Sequence, residues 1–121
     1  RSFYSRNIKK QYSPYPNIHL VDSVYDLDEL YALRNHCECY VHGHSAGGTN
    51  PSLVEAMFFD VPIIAFDVVY NRETTFETAN YFSDVNDLVR MLNEELKINS
   101  PRLAWENYTW NKIRKDYLNR L

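Results

Sequence analysis

Thiols and imidazoles crowd one short segment, "CECYVHGH", where Cys37-x-Cys39 runs into His42-x-His44. Such spacing invites a zinc site, since Cys and His are the usual ligands of that ion. Strand alternation argues against it. Cys39 shares a face with Val41 and Gly43, while His42 and His44 point to the opposite side. Four ligands would then converge only across a sharp break, so no metal is expected. His42 is read as packed and hydrogen-bonded, and His44 as lining a pocket or orienting the loop that follows. Cys37 and Cys39 lie too close for an ordinary disulfide and form no C-x-x-C redox pair, so both are expected reduced.

The next stretch, "SAGGTNPSLVEAM", carries different chemistry. Gly47 and Gly48 lack a Cβ, so a ligand can approach the backbone closely and positive φ costs little. Asn50 is a good N-cap and Pro51 suits the first helical position. Backbone N–H groups from Thr49 to Leu53, with the positive end of the helix dipole, suit an anion such as a diphosphate. Glu55 stands alone on an otherwise apolar helix, and a lone carboxylate there needs a partner. Ribose or sugar hydroxyls would serve, because an ionised carboxylate is a strong acceptor. A nearby Lys or Arg would serve equally, and a Gly-Gly turn before a Pro-started helix is common in α/β proteins. Neither G-x-x-x-x-G-K-[ST] nor G-x-G-x-x-G occurs, which disfavours an NTPase and a dinucleotide enzyme.

These residues must be positioned by regular elements. Asn17 to Val21 reads as a strand, and Asp26 to about His36 as a helix opened by an acidic cap with Glu29 three residues later. Cys39 to Gly43 reads as a second strand, Pro51 to Phe59 as a helix, and Val61 to Phe66 as a central parallel strand, apolar on both faces. Asp67 to Ser83 looks irregular. Asp84 to about Lys97 reads as a helix with Leu88, Val89, Leu92 and Leu96 on one face, and Ser100-Pro101 opens another carrying Trp110, Ile113, Tyr117 and Leu121. Residues 1 to 16 look like the tail of an amphipathic helix. The alternation predicts an α/β fold, a Rossmann-like parallel sheet with flanking helices. Three strands are few for a doubly wound domain, so the chain is read as a fragment lacking leading βα units.

Composition narrows the function. The chain has 121 residues, 45% hydrophobic, with a net charge of −3. Without a basic stripe, nucleic-acid binding is not expected. No run of about 18 apolar residues suggests a transmembrane segment, and residues 1 to 17 lack the apolar core of a signal peptide, so a cytoplasmic location is expected.

"YVHGHSAGGTNPSLVEAMFFDVPIIAFD" followed by "YNRETTFETANYF" resembles the donor-binding C-terminal domain of family 4 retaining glycosyltransferases, nearest the bacterial rhamnosyltransferase-like group. The resemblance covers Asn17 to Phe82 and extends loosely to Trp110 and Tyr117. It implies a GT-B architecture, of which this chain would be the truncated C-terminal half, with residues 1–121 forming a partial nucleotide-sugar-binding domain. The donor would be a nucleotide-diphosphate sugar carrying a hexose or deoxyhexose, and no cofactor is implied. The acceptor, a saccharide or a lipid-linked one, would bind the absent N-terminal domain, so the chain alone is expected to transfer no sugar. A lipid-linked acceptor would bring the whole enzyme to the inner membrane surface.

By this resemblance Glu55 matches the second glutamate of a paired motif and would bind ribose hydroxyls. The first glutamate would fall at Gly47, a departure shared by the rhamnosyltransferase-like group. Donor contacts are then implied for His44, Ser45, Gly47, Gly48, Thr49, Asn50 and Glu55, with Arg72 as the candidate cation for the diphosphate. Arg72 could instead pair with Glu73 or Glu77. Asp60 replaces a usual glycine, a turn that Asp tolerates. The other class in play is a non-catalytic α/β interaction module, which an aromatic content of 15% would suit.

Overall fold

The computed structural model of the chain describes residues 3–20, 26–45 and 50–108. It divides into two compact units, Arg1–Tyr31 and Ala32–Leu121, with the boundary inside one helix. In the first unit, α1 (Phe3–Tyr12) supplies the expected helical tail. It ends in turns closed by Tyr15 N–H to Tyr12 O and Ile18 N–H to Tyr15 O. The strand expected over Asn17 to Val21 is absent from Asn17–Leu20, while Val21 lies outside the described residues. Ile18 and Leu20 have strand-like side chains but are each 37% exposed, so no packing compels an extended ladder. Helix α2 (Leu27–His36) begins as expected, with Asp26 Oδ1 accepting from the amides of Asp28 and Glu29.

In the second unit three strands, β1 (Tyr40–His42), β2 (Ile63–Phe66) and β3 (Asn80–Phe82), form one parallel sheet in the order β1-β2-β3. Tyr40 pairs with Ile63, and Ile64 with Asn80. Ile63, Ile64 and Ala65 are at most 1% exposed, which makes β2 the central strand that its two-sided apolar sequence predicts. Helix α3 (Pro51–Ala56) crosses from β1 to β2 and buries Leu53, Val54 and Ala56. Leu53 and Met57 pack with Ile63, Ala65, Ala79 and Ala104 as the core of this layer, and Ala104 belongs to α6 (Pro101–Asn107). This is a small α/β fold, a parallel sheet flanked by helices. Among the described residues no helix is long and apolar enough to cross a membrane.

Two further expectations need correction. Residues 67–83 are not irregular: they hold α4 (Val69–Thr74) and β3. Val68 caps α4 without a side-chain hydrogen bond, so the usual start signal is missing from the sequence. The helix expected to reach Lys97 is α5 (Val85–Leu92), ending at Asn93. Beyond it the chain turns back so that Ile98 bridges Pro62 in antiparallel fashion. Leu88 of its apolar stripe is half-buried, but Val89 and Leu92 are each 52% exposed and Val85 74%. The stripe Trp110, Ile113, Tyr117 and Leu121 lies outside the described residues.

Three asparagine amides tie these elements, each donating to two backbone carbonyls. Asn99 reaches Met57 O and Phe59 O, both at 2.7 Å. Asn80 reaches Ile63 O and Lys97 O at 3.0 Å. Asn71 reaches His44 O and Phe66 O at 3.0 Å. Their carbonyl partners sit where strands and helices end and regular pairing runs out.

Helix α4 closes with Glu77 N–H on Arg72 O and Phe76 N–H on Glu73 O, the paired bonds of a Schellman ending. Phe76 (φ 53°) and Glu77 (φ 56°) occupy the left-handed region, which costs an ordinary residue about 1–2 kcal/mol. The Phe76 ring packs on Tyr108 with centroids 5.7 Å apart. Glu77 makes only a marginal 3.5 Å contact with Arg72. Glu77→Gly is therefore expected to raise stability by up to about 1 kcal/mol, read as a higher melting temperature.

Candidate functional site

In an open parallel sheet the ligand-binding side lies beyond the carboxyl ends of the strands. Here that side is formed by the segments leaving β1 and β2. His44 and Ser45 follow β1 and are exposed. Asn71, only 4% exposed, donates to both His44 O and Phe66 O, locking the two exits together. Gly47, Gly48 and Thr49 lie outside the described residues.

Asn50 caps α3 as its sequence predicts, and the cap takes up two of the amides that were expected to face an anion. Its Oδ1 accepts from Ser52 N–H at 2.9 Å, and its carbonyl accepts from Leu53 N–H at 3.1 Å. Pro51 has no N–H to offer. The expectation that the amides from Ser52 to Leu53 stand free is thus corrected: Asn50 satisfies them.

Glu55 has found a protein partner. Arg34, near the end of α2, donates from Nη1 to Glu55 Oε2. The Arg34 side chain is 15% exposed and that of Glu55 53%. This is the Lys/Arg pairing that the sequence left open, yet the carboxylate still faces solvent. Sequence reasoning missed Arg34, which stands far from Glu55 along the chain and carries no motif. Cys37 Sγ donates to Arg34 O at 3.2 Å, and both cysteines are free thiols. Burial, then the charges of Cys37 and Glu38, push the Cys39 thiol up, away from thiolate chemistry.

On β1 the alternation is as read from the sequence: Val41 is 42% exposed and His42 5%. Tyr40 OH and His42 Nδ1 lie 3.1 Å apart, and the His42 ring stands 6.0 Å from that of His44. His42 Nε2 is buried without a hydrogen-bond partner. Burial, then the neighbouring His44, lowers the pKa of His42, so it stays neutral near pH 7. The Tyr40 hydroxyl is pushed up by burial, opposed by Arg34 and reinforced by Glu55, which places all three in one electrostatic neighbourhood. Among the described residues no group of three or more His, Cys, Asp or Glu converges as a metal-ligand set.

Arg72 belongs to a separate network. It grips Asp67 through both oxygens, Nε to Oδ1 at 2.5 Å and Nη2 to Oδ2 at 2.9 Å, with its guanidinium 4.2 Å above the Tyr81 ring. The hydrogen bond from Arg72 holds the Asp67 carboxyl below the usual range. Its partners are thus Asp67 and Glu77, with no contact to Glu73 among its hydrogen bonds. An open cleft of about 690 Å³ adjoins it, and Asp67, Glu73 and Glu77 supply three carboxylates against that one guanidinium. Such a wall repels a diphosphate. The structure therefore brings His44 and Asn71 together, and Arg34 with Glu55, while Arg72 is already neutralised.

The class these features define is a small parallel α/β domain with a half-exposed, arginine-held carboxylate on the helix that follows β1. Comparison with family models, curated proteins and solved structures finds no match to the chain.

Proposed function

We propose that the chain is the nucleotide-sugar donor-binding part of a retaining glycosyltransferase of GT-B architecture. The observation that carries the reading is Glu55: an ionisable carboxylate, half exposed, on the helix leaving the first strand of a parallel sheet. Its chemistry suits hydroxyl groups of a ribose, as the resemblance implies. His44 and Ser45, exposed past the end of β1, are the polar groups offered to the rest of the donor. The protein's share of the reaction would be to position the donor and to stabilise the departing diphosphate. With Ser52 and Leu53 amides taken and Arg72 bound to Asp67, that stabilisation would need donors other than these three.

Calorimetric and thermal titration of the chain with UDP, GDP and dTDP tests the reading. A nucleotide at 100 times its Kd is expected to add about 2.7 kcal/mol of stability. Glu55→Gln is expected to weaken binding at least 10-fold, the loss of a charge-assisted hydrogen bond. Gln is preferable to Ala here, because it keeps an acceptor oxygen for the largely buried Arg34, whereas Glu55→Ala leaves that guanidinium with none and destabilises the fold by itself. Silence with all three nucleotides would sink the donor site. The interaction-module reading would then stand, favoured by the exposed Val85, Val89 and Leu92 of α5 and by Ile98, 63% exposed.

A further inference from the structure

Two arginine–carboxylate pairs in this chain differ in geometry. Arg72 spends two donors on Asp67, one on each carboxylate oxygen. Such bidentate pairing adds geometric specificity as well as energy. Arg34 instead reaches Glu55 through Nη1 on a single oxygen, Oε2. Exposure is lopsided as well: the cation is 15% exposed and the carboxylate 53%. The charge that orients is thus tucked into the protein, and the charge that is oriented looks outward. The main chain of Arg34 is held too, since its carbonyl accepts from Cys37 Sγ. Tyr40, whose hydroxyl feels the charges of both Arg34 and Glu55, is engaged with His42 Nδ1.

We infer that Arg34 is a positioning residue: it fixes Oε2 of Glu55 so that Oε1 is presented to a sugar hydroxyl of the bound nucleotide. This rests on the donor-site reading and adds to it the group that sets hydroxyl selectivity. A carboxylate free to rotate would lose side-chain entropy on meeting a ligand, whereas one already clamped loses little. Arg34 does not touch the ligand in this scheme. Its effect appears only where Glu55 acts.

The test takes whichever of UDP, GDP and dTDP binds, together with its counterpart lacking the 3′-hydroxyl, and titrates both calorimetrically into the wild type, Arg34→Met and Arg34→Lys. The wild type is expected to prefer the hydroxyl-bearing form about 10-fold or more. Arg34→Met should reduce that preference below about 3-fold while leaving affinity for the 3′-deoxy form unchanged. That unchanged affinity also certifies the fold of the variant. Arg34→Lys should restore most of the preference, because an ammonium can hold one oxygen as well. Full selectivity retained by Arg34→Met would overturn the inference and leave the donor site standing. Equal losses for both forms would assign Arg34 a purely structural role, again overturning it. No binding of any nucleotide by the wild type overturns both.

Discussion

Asn99→Ala is expected to cost about 3 kcal/mol of folding stability, the removal of two backbone caps at once. The Asn99 side chain donates to Met57 O and Phe59 O, just past the end of α3, and its own amide donates to Val61 O at 3.2 Å. The residue is 5% exposed. Water therefore reaches the abandoned carbonyls poorly, and each orphaned buried group costs about 1–3 kcal/mol. The bond to Phe59 O lies in a partly buried place and sits at the low end of that range. Urea denaturation should show a lower midpoint with an unchanged slope. A loss under about 1 kcal/mol would mean that the turn between α3 and β2 is held by other groups.

Leu53→Ala should cost more, about 3–4 kcal/mol, within the span measured for leucines emptied from well-packed cores. Leu53 is 0% exposed and meets Met57, Ile63 and Ala65 between α3 and the sheet. The surrounding residues include Ala56, Ala65, Ala79 and Ala104, short side chains that cannot lean into a void. The cavity term therefore adds nearly in full to the lost transfer energy. For a domain whose whole stability is about 5–15 kcal/mol, that is a large share. The same denaturation series reads it. Because α3 also carries Glu55, the nucleotide affinity proposed for this chain is expected to fall with it wherever the helix loosens, so the two effects are best compared at low temperature.

How much of this was legible depended on whether the signal was local. The Asn50-Pro51 start of α3, the Asp26 cap of α2 and the two-sided apolar β2 were all readable, because each is decided by residues within a few positions. β3 was not: "NYF" is three residues long, and Asn80 owes its place to carbonyls of Ile63 and Lys97. Helix α4 hid behind Val68, a cap with no side-chain bond. "NIHLV" misled for the opposite reason, since strand-like composition does nothing without a neighbour to pair. At the site, Glu55 stood out as a lone charge in an apolar run, but its partner was beyond reach of pattern. Arg34 and Glu55 meet only through the folded chain, which no local pattern encodes. Of the amides expected to meet an anion, those of Ser52 and Leu53 are taken by Asn50, because a residue that caps a helix start occupies part of its donors.

The parallel sheet has a kinetic side. Each of its ladders joins strands separated by a whole helical crossover, Tyr40 to Ile63 and Ile64 to Asn80. No tight hairpin exists among these three strands to nucleate pairing early, so loop-closure entropy must be met before the first rung forms. Since β2 supplies a partner to both neighbours, the order of events converges on it: until α3 and α4 have compacted the intervening chain, its four residues have nothing to zip against.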